Sequence, residues 1–223
     1  DNWLEAKSSG IKDYKAMPLT MGYYNRADLP FYYAFADAFT VCDQHFCSSL
    51  TGTSANRSYF WTGTVRENPR DPESTAHVDN GQINYKDVSW KSYPERLEES
   101  GVSWKVYQNE LSIPVGFEGE EEDWLANFTG NNLEFHKQYG VRYHPAHRTW
   151  MEYKLKKLEK DVSGLKDTIE VSKLKKQIEE LKQDLQRFSK ENFEKLSELH
   201  QAIHKKAFVT NVGDPDYHRV EKL

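Results

Sequence analysis

Apolar residues along this chain change their period several times, and each change marks an expected element. Phe31, Tyr32, Phe35 and Phe39 recur at helical spacing behind Asp28 and Pro30. This predicts a helix with Asp28 as N-cap and Pro in the first turn. Thr40-Val41-Cys42 is short and β-branched, which predicts a buried strand running into a loop. After Gly52 the chain is expected to re-enter helix at Thr53 and to continue to about Thr62, where Gly63 stops it. A second unit follows. Tyr93 and Leu97 share a face in Trp90 to Ser100, Pro94 starts the helix and Gly101 ends it. Val102 to Tyr107 then alternates like a strand. Ala207 to Val212 reads as a further strand, closed by Gly213-Asp214-Pro215-Asp216. Helix, glycine, then strand is the rhythm of α/β proteins with a mostly parallel sheet, so an α/β fold is expected.

Between residues 150 and 206 the pattern is different. Leu155, Leu158, Val162, Leu165 and Ile169 recur at alternating spacings of three and four. So do Leu174, Ile178, Leu181, Leu185 and Phe188. Both are heptad seams. A break near Glu170-Val171-Ser172 predicts a helical hairpin that satisfies both seams within one chain; parallel dimerisation through the same segment is the rival reading. The expected organisation is a core segment over 1–146, a hairpin inserted over 147–206, and a return to the core over 207–223. Residues 1–27 read as irregular, with breaks at Ser8-Ser9-Gly10 and Met17-Pro18.

Charge refines this picture. The formal net charge is −5, with +4 concentrated in residues 147–206 and −9 elsewhere. The balance argues against general nucleic-acid binding, because phosphate backbones are held by Lys and Arg. The basic excess reads as the solvated face of the hairpin, since its Lys residues alternate with Glu. No stretch approaches the roughly 20 apolar residues that span a bilayer, and Asp1-Asn2-Trp3-Leu4-Glu5 does not resemble a signal peptide. The acidic run Glu118 to Asp123 suits the start of a helix at Trp124-Leu125-Ala126, with divalent-metal binding as the sharper alternative. Cys42 and Cys47 are too close in sequence for good disulfide geometry in extended chain and lack a second pair for zinc, so two buried free thiols are expected. The pairs His144/His147 and His200/His204 share helical faces and read as packing or exposed side chains.

The stretch Thr51-Gly52-Thr53-Ser54-Ala55-Asn56-Arg57 carries the chemistry. It places a hydroxyl after a glycine at an expected helix start, where free N–H groups and the helix dipole attract an anion such as phosphate. A hydroxyl there needs a base or a metal to become a nucleophile. An ordinary Thr at a helix start is the plain alternative.

Residues 28–49 and the following Gly-Thr-x-x-Asn-Arg segment resemble the bacterial non-haemolytic phospholipase C and acid phosphatase family. Thr53-Ser54-Ala55-Asn56 and Thr62-Gly63 more distantly resemble the Thr-x-Pro-Asn and Thr-Gly signature of alkaline-phosphatase-like enzymes, with Ala55 in place of Pro. The blocks from Trp90 to Tyr107 and His204 to Val212 are similar as well. The resemblance implies an alkaline-phosphatase-like α/β domain with the hairpin inserted in it. It implies Thr53 as a nucleophile bound to a divalent metal, a covalent phospho-enzyme, and Asn56 as support for the turn. For Asn80, in Val78-Asp79-Asn80-Gly81, it suggests a phosphate contact; an Asn before Gly in a turn is the alternative. The substrate implied is a phospholipid or another phosphoester, diester or monoester, and the address implied is exported or periplasmic. The family's Glu-Asn metal motif and its Asp-rich block have no counterpart among these residues. The remaining metal ligands are therefore expected outside this chain, and the chain alone is expected to be inactive. A non-catalytic interaction module built on the hairpin is the competing reading, and the oligomeric state stays open.

Overall fold

The computed structural model describes residues 22–125, 130–164 and 168–219, in two units, Asp1–Phe46 and Cys47–Leu223. Of the segment over 1–27 expected to be irregular, residues 1–21 lie outside the described residues, as do Ala126 and Leu165.

In the first unit, helix α1 spans Pro30–Ala38. Pro at its first turn fixes φ where the missing N–H costs nothing. Its N-cap is Leu29, without a side-chain cap, in place of the expected Asp28. The Asp28 carboxylate instead accepts the Asn25 N–H at 2.8 Å, closing the preceding turn. Phe31, Phe35 and Phe39 form a row with ring centroids 6.2 and 4.7 Å apart. The helix buries none of its residues. Thr40-Val41-Cys42 is not a strand, and Val41 is exposed. Both cysteines are free and exposed, which corrects the expectation of buried thiols: with no strand there to carry them inward, the segment stays at the surface.

The second unit is helical. α2 spans Thr53–Thr62, α3 Tyr93–Glu99 and α4 Glu120–Leu125. Long helices α5, Pro145–Gly164, and α6, Thr168–Arg187, follow, then α7, Lys190–Glu194, and α8, Glu198–Ala207. Short 3-10 turns occupy Asn80–Gln82, Asn132–Phe135, Lys137–Tyr139 and Val141–Tyr143. Gly63 ends α2 in the left-handed region at φ 72°, its N–H donating to Tyr59 O at 2.9 Å. That conformation suits Gly because no Cβ opposes it.

The expected α/β fold is not what forms: no strand or sheet occurs among the described residues. The predicted strands over 102–107 and 207–212 do run alongside each other. Val106 N–H donates to Lys206 O at 2.9 Å and Gln108 N–H to Val209 O at 3.2 Å, giving one parallel bridge between Tyr107 and Val209. A second isolated bridge joins Val88 and His136. The alternation is real, since Trp104 and Val106 are half-buried while Lys105 and Tyr107 are exposed. Alternation sets which face is buried, but a sheet also needs successive ladder bonds to neighbours, and a lone pair of strands is marginal in water.

Two apolar clusters organise this unit. Leu111, Leu133, Tyr139, Val141, Ile203, Ala207 and Phe208 form one. Ala55, Val65, Ile83, Val88, Trp90 and Phe135 form the other, directly beneath α2. Helices α5 and α6 pack on each other, with Leu158 buried and Leu155, Leu181 and Leu185 half-buried. Lys182 reaches back to Glu159 at 2.8 Å. α6 runs without interruption through Glu170-Val171-Ser172, so the break expected there does not occur. Among the described residues, no helix is long and apolar enough to cross a membrane.

Candidate active site

The start of α2 is held by two asparagines that come from opposite sides. Asn56, one turn inside the helix, receives the Ser49 N–H on Oδ1 at 3.0 Å. Its Nδ2 donates to Ser49 O and Gly52 O, each at 3.1 Å. One amide therefore ties the incoming loop to the helix. Asn80, from the 3-10 turn, accepts the Ser54 N–H on Oδ1 at 2.9 Å. It supplies the cap that Gly52, having no side chain, does not. Asp79 in turn accepts the Gly81 N–H at 2.7 Å and holds that turn.

Gly52 is required by this arrangement for reasons of space. A Cβ built on it would lie 2.7 Å from Asn80 Oδ1, closer than real Cβ contacts come. Its own backbone is ordinary, extended at φ −76° and ψ 179°. The glycine therefore serves the close approach of the asparagine to the helix start, and not an unusual turn.

Thr53 is the first helical residue and is exposed. The N–H groups of Thr53 and Ala55 have no acceptor among the described residues. The Thr53 N–H and the positive end of a ten-residue helix thus lie beside one exposed hydroxyl residue, while Ala55 is fully buried and keeps its N–H inside. Thr53, Asn56 and Asn80, singled out from the sequence, are brought together around a single helix turn.

Below the turn, α2 buries a small polar face. Ser54, Ala55 and Ser58 are buried. Ser54 Oγ donates to Asn84 Oδ1, Ser58 Oγ to Ser54 O at 2.9 Å, and Asn132 Nδ2 to Ser58 Oγ at 3.1 Å. At the far end Trp90 Nε1 donates to Thr62 Oγ1 at 3.0 Å. Arg57 does not reach the helix start; its guanidinium donates to Gly130 O at 2.6 Å. Asn84 and Asn132 escaped the sequence reading because polar residues in irregular segments carry no periodic signal. The i, i+4 pairing of Asn80 with Asn84 was the one local hint.

Among the described residues no group of three or more His, Cys, Asp or Glu side chains is placed to hold a metal ion. The acidic first turn of α4 holds four carboxylates, Glu120 to Asp123, in the dipole-favoured position. The Thr53 hydroxyl offers a single oxygen. The divalent metal implied by the resemblance is therefore not matched by a ligand set in these residues.

The paired histidines pack inside the unit. His144, His147 and His204 are buried, and His200 is half-buried. His204 Nδ1 bonds Tyr139 O at 2.8 Å and His147 Nδ1 bonds Pro114 O at 2.7 Å. Burial, chiefly, and the neighbouring His204 hold the His144 pKa down to about 4. Burial likewise lowers His147 and His204.

Comparison with known proteins matches residues 1–202 to the model of the phosphoesterase family. The chain belongs to that family. It is 45% identical over 128 residues to "Phospholipase C A" of Mycobacterium tuberculosis, covering 53% of this chain and 24% of that protein. It is 41% identical over 136 residues to "Phospholipase C B" of the same organism, covering 56% and 25%. It is 34% identical over 142 residues to "Non-hemolytic phospholipase C" of Burkholderia pseudomallei, covering 62% and 18%. The aligned region thus spans a quarter or less of the length of these relatives. No solved structure matches the chain.

Proposed function

We propose that this chain supplies the nucleophile and the anion-binding turn of a phosphoric ester hydrolase acting on the phosphodiester of a phospholipid. The observation that carries the reading is the exposed Thr53 at the start of α2, its hydroxyl beside its own unused backbone N–H. Membership of the phosphoesterase family, and relatives named phospholipase C, support phosphoester chemistry as the use of that hydroxyl.

In this reading a phosphoryl oxygen sits against the Thr53 N–H, where the helix dipole favours negative charge. The Thr53 oxygen forms a bond to phosphorus as the bond from phosphorus to the leaving alcohol breaks. The Thr53 proton passes to a base and the departing alkoxide takes up a proton. Water then cleaves the phospho-threonine and restores the hydroxyl. Asn80 and Asn56 act as positioning residues by fixing the helix start. No step is assigned to a metal, since the described residues do not assemble its ligands.

The test is hydrolysis of p-nitrophenyl phosphorylcholine and p-nitrophenyl phosphate by the protein beside its Thr53→Ala variant. Diester turnover lost in a folded variant supports the reading. Equal turnover by both proteins overturns Thr53 as nucleophile. Preference for the monoester replaces the phospholipase reading with a phosphomonoesterase.

A further inference from the structure

Packing accounts for the inner side of α5 but not for its outer side. Met151 and Leu158 are buried and Leu155 is half-buried, and these positions define the inner face. Tyr153, Lys156, Lys157 and Lys160 follow at spacings of three and four, which places them together on the side away from that set. All four are exposed, Tyr153 to 53%. Along the sequence these lysines alternate with acidic residues, but on the folded helix the two kinds separate. Glu152 pairs with Arg148 at 3.2 Å, and Glu159 with Lys182 of α6 at 2.8 Å. Asp161, one turn beyond Lys157, borders the outer face without lying in it. Among the described residues, no ion pair engages the ammonium groups of Lys156, Lys157 or Lys160.

Three unpaired ammonium groups on one helix face make a local positive surface, and its complement is a negative one. Screening limits the reach of exposed charges to about 8 Å at physiological salt. A surface touching α5 therefore meets these lysines, and the net charge of −5 on the whole chain matters little there. Tyr153 narrows the choice of partner. A tyrosine ring suits the boundary between lipid and water, where its apolar body enters the headgroup layer and its hydroxyl stays hydrated. A nucleic acid would call for a denser set of Lys and Arg, matched phosphate by phosphate. The outer face has no apolar stripe to insert deeply, so attachment there is electrostatic and reversible.

We propose that the outer face of α5 docks on an anionic phospholipid surface, with Lys156, Lys157 and Lys160 against the headgroups and Tyr153 in the boundary layer. The choice of lipid rests on the phospholipid reading of Thr53, but docking is measured without turnover. The test is co-sedimentation of the protein with phosphatidylcholine vesicles that contain or lack phosphatidylserine, at low and at high salt. Binding is expected only to the vesicles with phosphatidylserine, and high salt should abolish it. Each basic residue at such a surface is worth roughly fivefold in partitioning. The combined variant Lys156→Gln, Lys157→Gln and Lys160→Gln should therefore bind about a hundredfold more weakly, and Gln keeps the helix. Tyr153→Ser should weaken binding a few-fold. Absence of binding to the phosphatidylserine vesicles overturns the proposal, as does equal binding to both kinds or full binding by the triple variant. An equal loss on changing the exposed Lys173, Lys175 and Lys176 of α6 to Gln overturns the assignment to α5. Tighter binding of duplex DNA than of vesicles overturns it too, in favour of a nucleic-acid surface. Hydrolysis of p-nitrophenyl phosphorylcholine should be unchanged in the α5 variant, and vesicle binding unchanged in Thr53→Ala. Failure of either reading therefore leaves the other standing.

Discussion

The two polar regions of the second unit handle burial in opposite ways. At the start of α2, Asn56 and Asn80 spend their amides on backbone groups, and the exposed residue there, Thr53, keeps its hydroxyl and N–H unpaired. At residues 134–138 the unpaired groups are inside, on His136 and Gln138. The first arrangement is inexpensive, because water satisfies exposed donors until a ligand arrives. The second costs stability in the free protein, since each buried unpaired group costs about 1–3 kcal/mol. One region is therefore expected to be insensitive in stability and sensitive in activity, and the other the reverse.

The largest expected effect tests the first half of that contrast. Thr53→Ala should lower phosphodiester turnover by about a thousandfold or more while leaving the melting temperature unchanged, because the side chain is exposed and makes no structural bond. A fall in melting temperature of several degrees would show that the turn depends on Thr53.

Acidification tests the second half. His136 is held at about 4, chiefly by burial, against the attraction of Glu95, and His144 is held at about 4 as well. The unfolded chain takes up these protons near 6.5 and the folded protein does not, so stability falls as pH drops from about 6.5 towards 4. Between pH 7 and 5 each histidine removes roughly 2 kcal/mol by this linkage. Glu134 has the opposite sign: its folded pKa is raised to about 7, so acidification relieves a penalty and returns roughly 2 kcal/mol. His147 and His204, also lowered by burial, act in the same direction as His136 and His144, so the histidines outweigh the carboxyl. Urea unfolding should show lower stability at pH 5 than at pH 7, and His136→Phe should recover roughly 2 kcal/mol of that loss. Constant stability across the range would contradict the burial argument.

Gly52→Ala is the next step down. Its Cβ would meet Asn80 Oδ1 at 2.7 Å and displace the cap, costing roughly 1–2 kcal/mol and lowering turnover with it. Unchanged turnover and stability would mean that the turn shifts freely. The smallest expected change in stability comes from Asn80→Asp, which keeps the oxygen that receives the Ser54 N–H and suits the helix dipole. Stability should hold within about 0.5 kcal/mol. Turnover should nevertheless fall about tenfold or more, because a carboxylate then stands beside the anion site. An equal loss in both quantities would remove the distinction between capping and ligand binding.

Much of the helix start was legible in the sequence. Gly52 and Gly63 bracket α2 at the expected residues; at Gly63 the reason is local, a left-handed conformation that suits glycine, while at Gly52 it is the close approach of Asn80. The sheet was not: alternation over 102–107 set the half-buried face correctly, yet whether neighbouring strands pair is decided by tertiary partners that no local pattern records. The thiols were misjudged for a related reason, as burial of Cys42 and Cys47 was inferred from a strand that does not form. Nothing in the sequence sets His136 apart, since its isolation depends on the rings of Trp90 and Tyr139 closing around it.

The tight fit between Gly52 and Asn80 also constrains how the protein can change over generations. A larger residue at 52 displaces the amide at 80, because the Cβ and the Oδ1 claim the same space. Once the amide at 80 is lost, a larger residue at 52 meets no such clash and costs less. Substitutions at these two sites, 28 positions apart in the chain, are therefore not independent. The two positions behave as a single inherited unit.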